Sequence, residues 1–121
     1  MQKKINSYRE LLVWQKSIEL VVNIYEITEK FPREEIYGLT SQIRRAAVSI
    51  PSNIAEGRYR GTKADYIHFL RISYGSGAEL ETQLEISKRL LKTKILNYNK
   101  VDSLLEEVMK MLNVMISKLT S

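Results

Sequence analysis

The stretch Arg44–Gly61, RRAAVSIPSNIAEGRYRG, combines a helical pattern with a residue that ordinarily interrupts helices. Apolar side chains recur at steps of three and four residues through Ile43, Ile50 and Ile54, which is the period of one helix face. Pro51 lies inside this pattern, where it removes a backbone N–H donor and crowds the carbonyl four residues earlier. Because the apolar stripe keeps its phase across the proline, we predict one helix with a bend near Pro51. The alternative is two short helices joined by a turn.

The bulk composition is typical of one folded domain. The chain has 121 residues, of which 44% are hydrophobic and 27% are charged, so it is long enough to bury a core. It has no cysteine, which excludes disulfides and thiolate metal sites and suits a reducing compartment. No apolar run approaches the ~20 residues that span a bilayer. We therefore expect a single domain over residues 1–121, a cytoplasmic location and no membrane partner.

The other periodic segments are also helical. The period-two alternation that is typical of strands is absent, and only two prolines and five glycines interrupt the chain. Four such segments with short connections predict an all-α fold, an antiparallel up-down-up-down four-helix bundle with helix 2 kinked near Pro51. The predicted helices run from about Tyr8 to Lys30, from about Glu34 to Arg58, from Thr62 to about Lys92, and from a cap at Asn97 or Asn99 to the C-terminus.

Glycines mark both the ends and the middle of the predicted helices. Gly57 and Gly61 are expected to end the second helix, and Thr62, with an acid three residues later, has the pattern of an N-cap. Gly75 and Gly77 lie in the middle of the third helix, where each costs about 1 kcal/mol relative to alanine. We expect that these small residues let a neighbouring backbone approach closely.

The first and last helices have wider apolar faces than a single bundle buries. Association of several copies would cover the surplus, so we expect a homo-oligomer. The alternative is that the surplus consists of isolated apolar side chains, which ordinary surfaces also carry. The stripes are Trp14, Ile18, Val21 and Tyr25, then Leu20, Ile24, Ile27 and Phe31, and in the last helix Val101, Leu104, Val108, Met111 and Met115.

The net charge of +5 is concentrated in two clusters. Residues 42–63 hold five cations and one acid, and residues 88–100 hold five cations and no acid. Arginine contacts phosphate with two parallel hydrogen bonds, and aromatic side chains stack on bases, so an anionic partner such as RNA or DNA is expected. The candidate nucleic-acid-binding residues are Arg44, Arg45, Arg58, Arg60, Lys63, Lys88, Arg89, Lys92 and Lys94.

The alternative for the arginines of the first cluster is structural. Arg44 or Arg45 would then pair with Glu56, Glu79 or Glu81, across the bundle or between subunits. The second cluster has no acid nearby in the sequence, and it is therefore the cleaner candidate for contact with phosphate.

The chain resembles a known family through two long stretches. These are FPREEIYGLTSQIRRAAVSIPSNIAEGRYRG, residues 31–61, and YIHFLRISYGSGAELETQLEIS, residues 66–87. They are similar to the small bacterial bundle family encoded in intervening sequences of 23S ribosomal RNA genes, which is also called the S23 ribosomal protein family. The resemblance covers nearly the whole chain, from Trp14 to the last helix.

The resemblance implies a fold and an assembly more than an activity. It implies homopentamers of antiparallel bundles with a basic surface, and no enzymatic reaction. A related accessory protein of diversity-generating retroelements implies nucleic acid and a reverse transcriptase as partners. The ribosomal name refers to gene location and does not require membership of the ribosome.

Enzymatic chemistry finds little support in the residues. A di-metal site in a bundle requires two Glu-x-x-His motifs, whereas the chain has one histidine, His68, preceded by Asp65. The segment GRYRGTK, residues 57–63, lacks the spacing of a phosphate-binding loop. We expect no catalytic residue, no metal and no cofactor. The predicted function is a nucleic-acid-associated scaffold, and the alternative is a protein-interaction module that does not bind nucleic acid.

Overall fold

The structure is a computed structural model that describes residues 7–121 of the chain. These residues form four helices and, in the same range, no strand: α1 (Leu12–Thr28), α2 (Leu39–Arg60), α3 (Lys63–Arg89) and α4 (Asn99–Thr120). Single 3-10 turns lie at Tyr8–Glu10 and Arg33–Glu35. The first six residues of the predicted domain lie outside the described residues, and the division into one domain stays a prediction.

The four helices form a closed circuit. Each packs against its neighbours in the order α1, α2, α3, α4 and back to α1, with the most extensive contact between α2 and α3. Short connections between successive helices make neighbours antiparallel. This arrangement confirms the predicted up-down-up-down bundle.

The proline does not break α2. The helix runs without interruption from Leu39 to Arg60, so the alternative of two short helices is wrong, while the bend near Pro51 stays a prediction. Neighbouring side chains hold this segment against α3. The Ser73 hydroxyl donates to the Ile50 carbonyl at 2.9 Å, and the hydroxyls of Ser49 and Ser76 hydrogen-bond at 2.7 Å. Contacts from α3 therefore hold the two residues that directly precede the proline.

Some helix ends differ from the predicted bounds, because side chains there accept hydrogen bonds from backbone N–H groups. A helix beginning at Glu34 is wrong, because Arg33–Glu35 is a separate turn and the Glu35 carboxylate accepts the Leu39 N–H at 3.1 Å. The Thr62 cap is confirmed, since its hydroxyl oxygen accepts the Asp65 N–H at 3.1 Å.

The connection between α3 and α4 is longer than predicted. Helix α3 ends at Arg89 instead of Lys92, and the Thr93 hydroxyl donates to the Ser87 carbonyl at 2.6 Å, inside the turn. Neither asparagine is the N-cap of α4. Tyr98 occupies that position, and the Asn97 side chain accepts the N–H of the first helical residue at 3.0 Å.

The glycines have different roles from those predicted. Gly61 ends α2 in the left-handed region with φ of 89°, as expected, but Gly57 lies within the helix. A Cβ atom on Gly57 would lie 2.7 Å from the Cβ of Phe69 in α3, so this glycine permits the close α2–α3 contact. Gly77 makes room for the Met109 side chain of α4, and Gly75 faces open space. The expected close approach of a backbone to Gly75 and Gly77 is therefore wrong.

One of the two apolar stripes of α1 lies wholly in the core, and the other is divided, since its Trp14 and Val21 pack against the core while partly exposed. Leu20 and Ile24 are fully buried and join a single cluster that includes residues from all four helices. Ile18 and Tyr25, from the other stripe, are among the exposed large apolar side chains. Among the described residues, no helix is long and apolar enough to cross a membrane.

We expect opposite effects from alanine at two glycines in these helices. Gly57→Ala should lower the free energy of unfolding by about 1–3 kcal/mol, because its methyl group forces α2 away from Phe69. Gly75→Ala should raise it by about 1 kcal/mol, because alanine has the higher helix propensity and the site is open. Urea unfolding of both variants measures the difference. Equal effects at the two positions would contradict the packing described here.

Candidate nucleic-acid interface

Arg44 connects α2 to α1. Its Nε donates to the Thr28 hydroxyl at 2.8 Å and its Nη2 donates to the Tyr25 carbonyl at 3.3 Å. The guanidinium carbon lies 4.3 Å from the centroid of the Tyr25 ring, and Nη2 is 4.0 Å from the Glu29 carboxylate. Arg44 therefore has a structural role of the kind that the alternative foresaw, although its acidic partner is Glu29 instead of Glu56, Glu79 or Glu81.

Arg45, the next residue, is exposed and has no partner among residues 7–121. It lines a cleft of about 390 Å³ between α1 and α2. Thr40, in the first turn of α2, lines the same cleft and is only 5% exposed. The Thr40 hydroxyl is buried without a hydrogen-bond partner in the described part of the chain. The complete lining is Tyr25, Ile36, Thr40, Ser41, Arg44, Arg45 and Val48.

Two further arginines lie at the other end of α2. Arg60 binds the Glu56 carboxylate through both Nε and Nη2 at 2.9 Å and lies 5.0 Å from the Phe69 ring. Arg58 lies 5.5 Å from the Tyr66 ring. Burial raises the pKa of Tyr66, and the charge and hydrogen bond of Arg58 oppose that rise.

Lys63, in the first turn of α3, is exposed and has no partner in the described range. Together with Arg58 it borders a second cleft, of about 420 Å³, at the α2–α3 turn. The lining residues are Gly57, Arg58, Gly61, Thr62, Lys63, Tyr66 and Leu119.

Three cations of the second cluster are paired with acids that lie outside residues 88–100. Lys88 binds Asp102 of α4 at 2.8 Å, Arg89 binds Glu85 at 3.0 Å, and Lys92 binds Glu34 at 2.7 Å. Lys94 is the fourth candidate residue of this cluster. It is exposed and has no partner in residues 7–121. Although residues 88–100 contain no acid, acids elsewhere in the chain therefore pair with most of the candidate cations of this cluster.

The fold separates the two predicted clusters. Lys63 begins α3 and Arg89 ends it, and a helix of 27 residues is about 40 Å long. Lys63 and Arg89, from the two predicted clusters, therefore lie at opposite ends of α3. Arg45 lies on a third surface, beside α1.

His68 has an aromatic environment. Its ring meets the Phe69 ring edge to face, with centroids 5.1 Å apart. In the part of the chain that the structure describes, no group of three histidine, aspartate or glutamate side chains is placed to hold a metal ion.

These features define a small antiparallel four-helix-bundle protein whose surface cations are partly paired and partly free. The sequence model of the family described as 23S rRNA-intervening sequence protein matches residues 9–114, and the chain belongs to this family. This result confirms the family suggested by residues 31–61 and 66–87.

A solved structure supports the same assignment. The fold is similar to the crystal structure of a protein with unknown function from the S23 ribosomal protein family of Bacteroides thetaiotaomicron, with a TM-score of 0.76 and 28% identity. The match covers 87% of this chain and 98% of that one. No curated protein matched the sequence significantly.

Sequence reasoning missed Thr40 and Tyr25 as members of a cleft with Arg45. Tyr25 was assigned to an apolar stripe, and Thr40 has no feature that distinguishes it from other helix threonines. The sequence signal for Thr40 is its spacing from Arg44 and Val48. Thr40, Arg44 and Val48 follow one another at four-residue steps, which places them on one side of α2.

The Lys92–Glu34 pair gives a prediction that depends on pH. The hydrogen bond from Lys92, a backbone hydrogen bond and the charge of Lys92 lower the pKa of Glu34 below its ordinary 4.5. Glu34 therefore contributes stability that is present above pH 4.5 and is lost as the pH falls through its lower folded-state pKa. The Glu34 hydrogen bond raises the pKa of Lys92, so that contribution is lost only as the pH rises through a value above 10.5.

We expect Lys92→Met to raise the pKa of Glu34, because it removes the hydrogen bond and the charge of Lys92. Carbon-detected NMR titration of the carboxyl group measures this change. Lys94→Met removes the same charge from a position that has no acidic partner in residues 7–121, and it is the control. An unchanged Glu34 titration in Lys92→Met would show that the pair does not form in solution.

Proposed function

We propose that this protein is a non-enzymatic bundle that assembles with copies of itself and presents its free cations to nucleic acid in the cytoplasm. Five copies is the number that the family resemblance implies. The observation that carries the proposal is the outward apolar surface of α1 and α4, because it requires a partner and the same surface is present on every copy.

This surface carries several exposed apolar side chains. Leu12, Val22 and Val114 are 61%, 51% and 50% exposed, respectively, and a groove of about 390 Å³ lies between the start of α1 and the last half of α4. Contiguous apolar surface of this kind typically marks an interaction site. The groove is lined by Leu11, Leu12, Val13, Lys110, Met111, Val114 and Met115.

The test of assembly is the mass in solution. Light scattering on the wild-type chain should report a multiple of the protomer mass, and the double substitution Leu12→Ser/Val114→Ser should shift the mass towards the protomer. These side chains are half exposed or more, so the variant should fold. A single copy at every concentration of the wild type would contradict the proposal.

A control places two serines on another exposed apolar surface. Leu91 and Ile95, between α3 and α4, are more exposed than Leu12. Leu91→Ser/Ile95→Ser should leave the mass unchanged. If this control dissociates the assembly and the Leu12/Val114 variant does not, the interface lies at that end of the bundle and the proposed surface is wrong.

Association with nucleic acid is the second part of the proposal. It is supported by the net charge of +5 and by the exposed cations Arg45, Lys63 and Lys94, which have no partner among the described residues. The family description refers to intervening sequences of 23S rRNA, which makes RNA the first probe. Electrostatic binding of this kind releases counterions, so the affinity should fall steeply with salt.

We expect single-stranded RNA to bind at low salt, with a logarithmic salt slope of about −0.7 per phosphate contacted. Lys63→Ala/Lys94→Ala should weaken binding and flatten this slope. Lys88→Ala/Lys92→Ala removes the same charge from residues that Asp102 and Glu34 already neutralise, so its slope should stay close to that of wild type. Fluorescence anisotropy across a salt series measures both. Absence of RNA and duplex DNA binding at low salt would exclude this part of the proposal.

A protein-interaction module that does not bind nucleic acid is the other candidate. It is favoured by the ion pairs of Arg44, Arg60, Lys88, Arg89 and Lys92, because cations that serve the fold are less available to phosphate. Most of these pairs are exposed, however, and exposed pairs contribute only about 0–1 kcal/mol to stability, so they are weak support for this candidate. Assembly without nucleic-acid binding in the two experiments above would identify this second function.

A further inference from the structure

We infer that the cleft between α1 and α2 binds one nucleotide of a single-stranded nucleic acid, with the base on Tyr25 and the phosphate at Arg45 and Thr40. This inference rests on the proposed association with nucleic acid and names a site for it. The cleft of about 390 Å³ lies within the size range of pockets that take small ligands, about 300–1,000 Å³.

The buried hydroxyl of Thr40 is the first reason. A buried hydroxyl without a hydrogen bond is unfavourable, and few such groups occur in folded proteins. Thr40 is 5% exposed, lines the cleft, and has no hydrogen-bond partner for its Oγ1 in the described part of the chain. A ligand oxygen in the cleft would supply the missing partner, since the hydroxyl can donate to it.

The second reason is the charge at the mouth of the cleft. Arg45 has no partner in residues 7–121, although it follows directly after an arginine that has four contacts. A planar guanidinium offers two parallel N–H donors to a phosphate. Arg45 and Thr40 line the same cleft, and the phosphate of the proposed nucleotide belongs between them.

The third reason is a braced aromatic platform. The guanidinium of Arg44 lies 4.3 Å from the centroid of the Tyr25 ring, which orients the ring, and 41% of Tyr25 remains exposed. A base that stacks on an aromatic ring gains about 1–3 kcal/mol whatever its identity. Ile36 and Val48 add apolar walls to the cleft. Bases are accessible for stacking in a single strand and not in a duplex, so the single strand is the favoured ligand.

Acids nearby limit the position of the phosphate. Glu29 lies 4.0 Å from Arg44, and Glu26 and Glu29 border the adjoining surface of α1 beside Tyr25. Both repel a phosphate on that side of the ring. The phosphate therefore belongs at the α2 side of the cleft, where Thr40 and Arg45 lie, and the base belongs towards α1.

The test uses the full-length chain and a fluorescein-labelled oligouridine at low salt. Arg45→Ala should weaken binding about tenfold or more, and Thr40→Val about fivefold, as expected for contacts with a charged group. Arg71→Ala is the matched control, because Arg71 is an exposed arginine of α3 that has no partner in the described range and lies outside the cleft. Arg71→Ala should lower the affinity for oligouridine only by the small factor that results from the lower net charge.

Thr40→Val has a second readout. The substitution keeps the shape of the side chain and removes only a hydroxyl that has no partner in the free protein, so the Tm should not fall while the affinity for oligouridine does. A lower Tm, or unchanged affinity in both Thr40→Val and Arg45→Ala, would overturn the inference. If Arg45→Ala dissociates the assembly, the cleft is a contact between copies and the inference is wrong.

Different results would exclude the association with nucleic acid and the binding site in the cleft. If the wild-type chain does not bind oligouridine at all, the association with nucleic acid itself is wrong. If the wild type binds and the cleft variants match Arg71→Ala, nucleic acid binds elsewhere and only the cleft is excluded. If duplex of equal length binds as tightly as the single strand and is weakened as much by Arg45→Ala, stacking on Tyr25 is excluded.

Discussion

The close packing of α2 against α3 is the constraint on which the rest of the structure depends. Gly57 admits Phe69, and two serine hydroxyls of α3 hydrogen-bond with Ser49 and Ile50 of α2, directly before Pro51. Only two residues connect these helices, so they must run side by side from their common turn. Small side chains make this possible, because a larger group at Gly57 would separate the two backbones where they come closest.

This packing also determines which cations are free. Arg44 faces α1 and is bound there, Arg60 folds back on Glu56 and Phe69, and the cations at the end of α3 meet acids from the turn before α2 and from α4. Among the described residues, Lys63 and Lys94 have no partner, and the length of α3 separates them.

The surface of α1 has two different uses along one helix. Its buried stripe fills the bundle core through Leu20 and Ile24, and its exposed stripe ends at Tyr25, which lies between the apolar surface and the arginines of α2. Assembly through the apolar surface would bring the neighbouring copy close to this tyrosine. The proposed interface between copies and the proposed nucleotide site are therefore adjacent on α1. The tests above distinguish them because they substitute different residues.

The sequence by itself determined the helical class, the number of helices and the family, because periodicity, capping patterns and long motifs are local properties of the chain. It favoured an uninterrupted α2, and the structure excluded the alternative of two short helices. The sequence also identified all the cations. Only the tertiary structure decided which of them are neutralised, since Glu34 and Asp102 lie far from Lys92 and Lys88 in the chain and meet them only when the helix ends come together. The cleft could not be predicted from the sequence for the same reason. Tyr25 and Arg45 belong to different helices, and a buried hydroxyl without a partner exists only in a packed fold.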